Sequence, residues 1–197
     1  MDAFGQDIAD RTKPLTQTEK LAFAYSVCVR LYPHYEYFSN LESWGNPATL
    51  QSAINTIRQI LLRQTSRSSL KQLLEELEEV TPDTEDFTGA ACSFALNSCC
   101  AILDTLTFII DKNERAISIV ATYARDTLDF YIQEIRDLAP NDPHRERKIV
   151  EDPYMIAEVE HMRTTIDLLH KADPLTEKLL DELTEGNRMI DLNLLPC

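Results

Sequence analysis

The chain has 197 residues, 44% of them hydrophobic, and a formal net charge of -14 from 33 acidic and 19 basic side chains. Nucleic acids and acidic membranes are bound through basic surfaces, so this charge excludes both as expected partners. The length predicts one domain spanning residues 1–197. Because glycines number only 4 and apolar residues recur every three or four positions, we expect an all-α, multi-helix bundle of about seven helices.

The chain starts with residues 1–15, which we expect to form a loose N-terminal arm. This stretch contains the early acidic residues Asp2 and Asp7 and no apolar core. It therefore does not resemble a signal peptide, and we expect a cytoplasmic protein. Thr16 and Glu19 then have the spacing of a capping box, so the first long helix is predicted to begin there.

Aromatic residues are concentrated just after this first helix. Pro33 disfavours the α conformation of Tyr32, so we expect a bend at this pair and a short second helix beyond it. Aromatic residues mostly fill cores, and the first interpretation is that this group closes one end of the bundle. The alternative is a surface that binds a protein partner or a second copy, because Tyr and Trp are enriched at binding hot spots. The candidate partner-binding residues are Tyr35, Tyr37, Phe38 and Trp44.

Two further helices are predicted before the centre of the chain. Asn46 and Pro47 have the character of a helix cap and first turn, and the polar stretch 64–68 ends that helix. A shorter leucine-rich helix follows and leads into an acidic segment from Glu75 to Asp86 that contains no base. We interpret these acids as a solvated face. A calcium loop is excluded by spacing, since Phe87 would have to serve as a ligand.

The predicted centre of the fold is a helical hairpin from Ala90 to Leu138, whose arms are joined by residues 111–114. The first arm is nearly apolar all round and should be buried, whereas the second has one apolar and one charged face. The longest uncharged run of the chain, 87–103, is shorter than the roughly twenty residues that cross a bilayer, so we expect no membrane span. Leu103 is predicted to lie fully in the core.

The C-terminal third is predicted to contain two helices. Residues 140–143 contain two prolines that interrupt the helical pattern, and we expect residues 144–148 to be a mobile surface connection. One helix should begin near Pro153 and place Met155, Val159, Met162, Ile166 and Leu169 inward. A last helix should begin at Asp173-Pro174 and stop at Gly186, followed by a C-terminal tail over 187–197.

No recognisable catalytic motif is present. The 4 glycines are too far apart for a dinucleotide fingerprint, a P-loop or a nucleophile elbow, so no cofactor is expected. Glu158 and His161 are the metal-ligand candidates, with Asp167 and His170 further along the same helix. A carboxylate-bridged site needs such pairs on different helices, and these two pairs point to opposite sides of one helix.

The five cysteines form no Cys-x-x-Cys pair. Four of them fall within apolar helical patterns, and we expect reduced thiols that pack as small hydrophobic groups.

Two separated patterns resemble a known family. Residues 28–35, Cys-Val-Arg-Leu-Tyr-Pro-His-Tyr, match a Cys-x-Arg-x-Tyr-Pro-x-Tyr pattern, and residues 73–87 carry a second, acidic pattern in the right order. Both resemble the YjaG-like family, a bacterial domain of unknown function numbered 416, over residues 21–186. The resemblance implies a helical cytoplasmic protein of bacterial type and brings no established activity, cofactor or catalytic residue. The chain departs from the family where Asn97 occupies an acidic position.

The function that we favour from the sequence is a non-enzymatic interaction or regulatory module with a protein partner, or a homo-oligomer. The acidic composition and the missing catalytic motifs point to it. The alternative is an enzyme or a metal-binding protein whose site is assembled across helices from Cys28, His34, Glu158 or His161, because such partners meet in space and not along the chain.

Overall fold

A computed structural model describes residues 3–64, 70–172, 174–185 and 189–195, and within these ranges the chain contains α-helices, one short 3-10 helix and no strand. The all-α prediction is confirmed, although the described ranges hold nine α-helices where about seven were expected. In chain order they are α1 (Ala3–Thr12), α2 (Gln17–Glu42), α3 (Pro47–Leu61), α4 (Leu70–Glu79), α5 (Ala90–Asp111), α6 (Arg115–Ile135), α7 (Arg145–Val150), α8 (Pro153–Lys171) and α9 (Glu177–Thr184).

The predicted hairpin is the centre of the fold. Helix α5 ends at Asp111, Lys112 adopts a left-handed conformation with φ of 61° and donates its amide to the Phe108 carbonyl, and α6 begins three residues later. The most extensive helix contacts are those of α5 with α2 and α6. The short connection and the long apolar arms therefore produce the buried antiparallel pair that the pattern indicates.

The burial of α5 differs from the prediction at Leu103. Leu103 is only partly buried, and Ile110 is 46% exposed. Ser98 and Thr105 are instead fully buried, because the Ser98 hydroxyl donates to the carbonyls of Leu31 and Phe94 and the Thr105 hydroxyl donates to that of Ala101. Hydroxyl groups whose hydrogen bonds are satisfied can enter a core. This is why Ser98 and Thr105 are buried although their side chains are polar.

Helix α2 is not interrupted at Pro33, contrary to the prediction of a separate second helix beyond it. It runs without interruption from Gln17 to Glu42 and begins with the predicted capping box. Proline inside a helix costs about 3 kcal/mol. Leu31, before the proline, and Tyr35 and Phe38, after it, are all fully buried. Burial of large side chains on both sides, worth roughly 1.5–3 kcal/mol each, offsets that cost and keeps the helix continuous.

The N-terminal stretch is not a loose arm where the structure describes it. Residues 3–12 form α1, which packs on α6 and α8 and buries Ile8 completely. Asp7 on α1 accepts hydrogen bonds from Arg163 of α8, with the Arg163 Nη2 atom 3.0 Å from the carboxylate. The burial of Ile8 and the Asp7–Arg163 ion pair both hold α1 against the bundle. The local sequence pattern does not reveal either interaction.

Two C-terminal expectations need correction. Residues 145–150 form α7 and bury Ile149, so the stretch 144–148 is not a mobile connection. The last helix begins after a Thr176 cap, because the Thr176 hydroxyl accepts from the Leu179 amide. Asp173, Gly186 and residues 187–188 lie outside the described ranges. Of the predicted C-terminal tail, Met189 and Ile190 are buried and pack into the core.

Among the helices of the described ranges, α5 has the length and apolar composition that could cross a membrane. It lies between α2 and α6, and eleven of its residues are buried in the protein. This placement accounts for its apolar composition as that of a core helix.

We expect Leu106→Ala to lower the free energy of unfolding by about 2–5 kcal/mol, because Leu106 is fully buried on α5 and its loss leaves a cavity. Leu103→Ala, on the same helix but only partly buried, should cost clearly less. Urea denaturation of both variants measures the difference. Equal losses at the two positions would contradict the observed orientation of α5.

Candidate functional site

Tyr35, Phe38 and their neighbours serve the core. The Tyr35 hydroxyl donates to the Val80 carbonyl at 2.7 Å and accepts from the Asn46 amide at 3.2 Å. Gly45 has φ of 82°, and a Cβ atom there would collide with the same hydroxyl. Tyr35 and Phe38 are fully buried, so the expectation that they form a partner-binding surface is wrong. They fix the turn between α2 and α3.

The remaining aromatic candidates lie at the edge of this cluster. The Trp44 ring is partly buried, with its centroid 6.0 Å from that of Phe38 and 5.1 Å from that of Phe87. Tyr37 has an intermediate exposure. Partner binding by Tyr37 and Trp44 therefore stays a prediction, while the rings of Tyr35, Phe38 and Trp44 pack with one another and with Phe87.

A buried ion pair joins α2 to α8. The guanidinium group of Arg30 donates through Nε and Nη2 to the two carboxylate oxygens of Glu158, and the side chains are 9% and 3% exposed. Arg30 belongs to the Cys-x-Arg-x-Tyr-Pro-x-Tyr pattern, and Cys28 of that pattern lies 3.3 Å from the Thr105 hydroxyl. The pattern therefore contains side chains that fix α2 against α5 and α8.

Two histidines lie near this ion pair. His34 is 2% exposed with no hydrogen-bond partner for Nδ1, and the buried Nε2 atom of His161 likewise has none. Burial and the nearby Arg30 charge lower the pKa of His34 to about 3. The same two causes lower the pKa of His161, opposed by the charge of Glu158. Both rings are therefore neutral near pH 7, with one nitrogen as donor and the other as acceptor.

The ion pair and His161 line a pocket of about 380 Å³ at the start of α8. Arg30 occupies both Glu158 oxygens, and no cluster of three metal-ligand side chains occurs within the described ranges. The hypothesis of metal binding by Glu158 and His161 thus gains no support from their surroundings. The residues lining this α2/α8 pocket are Arg30, Pro153, Tyr154, Ala157, Glu158, His161 and Met189.

A larger depression runs between α1, α6, α7 and α8 and has a volume of about 660 Å³. We call it the α1/α8 groove. Val150 and Ile156 on its wall are 61% and 55% exposed, which places both among the most exposed large apolar side chains of the described residues. The apolar residues that line it are Ala3, Phe4, Ile149, Val150, Met155, Ile156 and Val159.

The charged residues around the α1/α8 groove leave it acidic. Arg163 is paired with Asp7 at 3.0 Å, and Arg125 is paired with Asp126 at 2.7 Å. Glu146 and Glu160, which also line the groove, form no ion pair with a described residue. The two bases are thus engaged, and carboxylates dominate the electrostatic potential at the rim.

Sequence reasoning missed this groove for an identifiable reason. Two of its four walls, α1 and α7, were expected to be a loose arm and a mobile connection. Ile8 of α1 and Ile149 of α7 are buried where these helices pack on α6 and α8, and such tertiary contacts are not visible in the local sequence. Val150 and Ile156 are six positions apart with Pro153 between them. This spacing does not match the pattern of a single helix face, so the sequence alone does not indicate that they share a surface.

Comparisons with known proteins place the chain among proteins without an assigned activity. The family described as "Protein of unknown function (DUF416)" matches residues 7–190. The crystal structure of a DUF416 family protein from Shewanella baltica is similar, with a TM-score of 0.80 and 26% identity over 93% of this chain and 91% of that one. An uncharacterized protein of Haemophilus influenzae is 27% identical over 115 residues, which span 57% of this chain and 59% of that relative.

The lowered pKa of His34 predicts a pH dependence of stability. Between pH 6.5 and about 3, the unfolded chain binds a proton at this histidine that the folded chain does not, so stability falls as the pH is lowered through this window. The contribution approaches about 1.4 kcal/mol per pH unit. Urea titrations between pH 6 and 4 should show a shallower loss for His34→Leu than for the wild type.

The exposed His144 provides the control for that experiment. His144→Leu removes one histidine without removing a buried one, so its pH profile should follow that of the wild type. Identical slopes for His34→Leu and the wild type would show that His34 titrates normally in the folded protein.

Proposed function

We propose that this chain, which belongs to the DUF416 family of proteins of unknown function, is a non-enzymatic interaction module. In this proposal the α1/α8 groove binds an amphipathic helix of a partner protein that carries basic residues beside its apolar stripe. The observation that carries the proposal is the pair of exposed apolar side chains, Val150 and Ile156, on the wall of an acidic groove.

The apolar lining of the groove supports a helical partner. Exposed apolar residues that form one surface mark an interaction site more strongly than single exposed residues do. An amphipathic helix presents apolar side chains at three- and four-residue spacing and is a common ligand of grooves between helices. The groove combines half-buried Phe4 and Val159 with exposed Val150 and Ile156, which offers partly shielded sites for such side chains.

The charge of the groove supports a basic partner and not a second copy. Glu146, Glu160 and Asp129 line it, whereas the two arginines are paired within the chain. Complementary charge accelerates association and suppresses wrong partners. Two copies that each carry a net charge of -14 would repel each other, so we favour a partner protein over the homo-oligomer expected as one of two outcomes from the sequence.

The enzyme alternative draws on the α2/α8 pocket. Arg30, Glu158 and His161 bring together three groups with the chemistry for acid-base work or substrate binding. The arginine and the carboxylate neutralise each other, however, and both are nearly inaccessible.

A cytoplasmic location also stays a prediction, which cell fractionation would check.

The proposal predicts selective binding of a model peptide. A helical peptide built from Leu and Lys, with its leucines on one face, should bind to the protein, and its Leu and Glu counterpart should not. Ile156→Glu should weaken binding of the basic peptide at least about tenfold, because it places a charge in the apolar wall. Isothermal titration calorimetry of each peptide with each variant gives the dissociation constants.

Leu41→Glu is the matched control, since Leu41 is 59% exposed on α2 and does not line the groove. Both substitutions add the same negative charge, so general attraction of a basic peptide to an acidic protein should increase equally in each. Retained binding in Leu41→Glu with lost binding in Ile156→Glu supports the groove. Equal affinity of the two variants would contradict the proposed function.

A further inference from the structure

We propose that the α2/α8 pocket binds a small, uncharged molecule with an apolar body and one hydroxyl group, and that this hydroxyl forms a hydrogen bond with His161. This site shares no lining residue with the α1/α8 groove, so it is independent of the proposed partner binding. Its volume of about 380 Å³ lies within the usual range of roughly 300–1,000 Å³ for small-molecule sites.

The paired charges of Arg30 and Glu158 select an uncharged ligand. Both Glu158 oxygens accept hydrogen bonds from Arg30, so the pair carries no net charge at the pocket. An anion would have to compete with Glu158 for the guanidinium, and a cation would have to compete with Arg30 for the carboxylate. A charged ligand would also lose its hydration without finding a free opposite charge.

His161 supplies the polar contact. Its Nε2 atom is buried and has no hydrogen-bond partner, although its ring lines the pocket. A buried polar atom without a partner is unfavourable, so a ligand group that reaches it through a small turn of the His161 ring gains affinity. A hydroxyl can donate to the nitrogen or accept from its N–H, and it therefore suits either tautomer of the neutral ring.

The remaining walls of the pocket suit an apolar body. Pro153, Ala157 and Met189 contribute aliphatic or thioether surface, and Met189 is 4% exposed. The Tyr154 ring is held edge-to-face against Tyr131, with 5.1 Å between centroids and an interplanar angle of 86°. An aromatic ring and a methionine that line the same pocket favour a flat or ring-shaped ligand, since sulfur and aromatic faces both pack well on rings.

Three probes of similar size test the ligand class. Phenol carries a ring and a hydroxyl, benzene lacks the hydroxyl, and benzoate carries a negative charge. The carbon-labelled methyl group of Met189 reports binding at the pocket by NMR, and titration gives each dissociation constant. We expect phenol to shift the Met189 signal and to bind at least about tenfold more tightly than benzene or benzoate.

Variants at His161 separate the hydrogen bond from a packing effect. His161→Phe keeps a ring but removes the nitrogen, so phenol should bind to it no better than benzene does. His161→Gln retains a polar group and should keep part of the preference for phenol. His144→Phe, at an exposed position, should leave all three affinities unchanged, and melting curves verify that each variant is folded.

A preference for phenol that survives in His161→Phe would overturn the assignment of the hydrogen bond. Absence of any Met189 shift with phenol, or tighter binding of benzoate than of phenol, would overturn the ligand class. None of these outcomes depends on the peptide experiment at the α1/α8 groove, so either proposal can fail alone.

Discussion

The requirement to cover α5 determines the arrangement of the other helices. This helix is apolar around almost its whole circumference, and one neighbour cannot remove all of that surface from water. Helices α2 and α6 provide most of this cover, and they also contact each other. Helix α2 stays continuous through Pro33 because Leu31 before the proline and Tyr35 and Phe38 after it are all buried. The polar side chains that face inward, Ser98 and Thr105, are accommodated through hydrogen bonds to main-chain carbonyls.

The two candidate surfaces result from how α8 attaches to this centre. The Arg30–Glu158 ion pair fixes one side of α8 to α2, and the α2/α8 pocket forms beside that contact. The other side of α8 faces α1, α6 and α7 and forms the α1/α8 groove. A buried ion pair is weak support for stability but a strong constraint on geometry, because each charge needs its partner. One helix thus separates a neutral pocket from an acidic groove.

Local sequence patterns predict the parts of this fold that depend on local physics. The capping box at Thr16, the Asn46 cap and the hairpin over 90–138 each rest on neighbouring residues, and each is confirmed. The packing of α1 on α6 and α8 and the continuity of α2 through Pro33 depend on contacts with distant residues and could not be predicted in this way. Likewise, Glu158 and His161 were identified from the sequence as candidate metal ligands, but the partner of Glu158 is Arg30, 128 positions away in the chain.

The central functional claim is that the α1/α8 groove, and not the acidic surface in general, receives a basic amphipathic helix. Paramagnetic relaxation measured by NMR, with a spin label on the Leu and Lys peptide and carbon-labelled methyl groups on the protein, tests this most directly. Binding in the groove predicts broadening of the Val150 and Ile156 methyl signals with the Leu41 signals unaffected. Broadening of the leucine methyl signals of α4, or broadening that includes Leu41 while sparing Ile156, would contradict it.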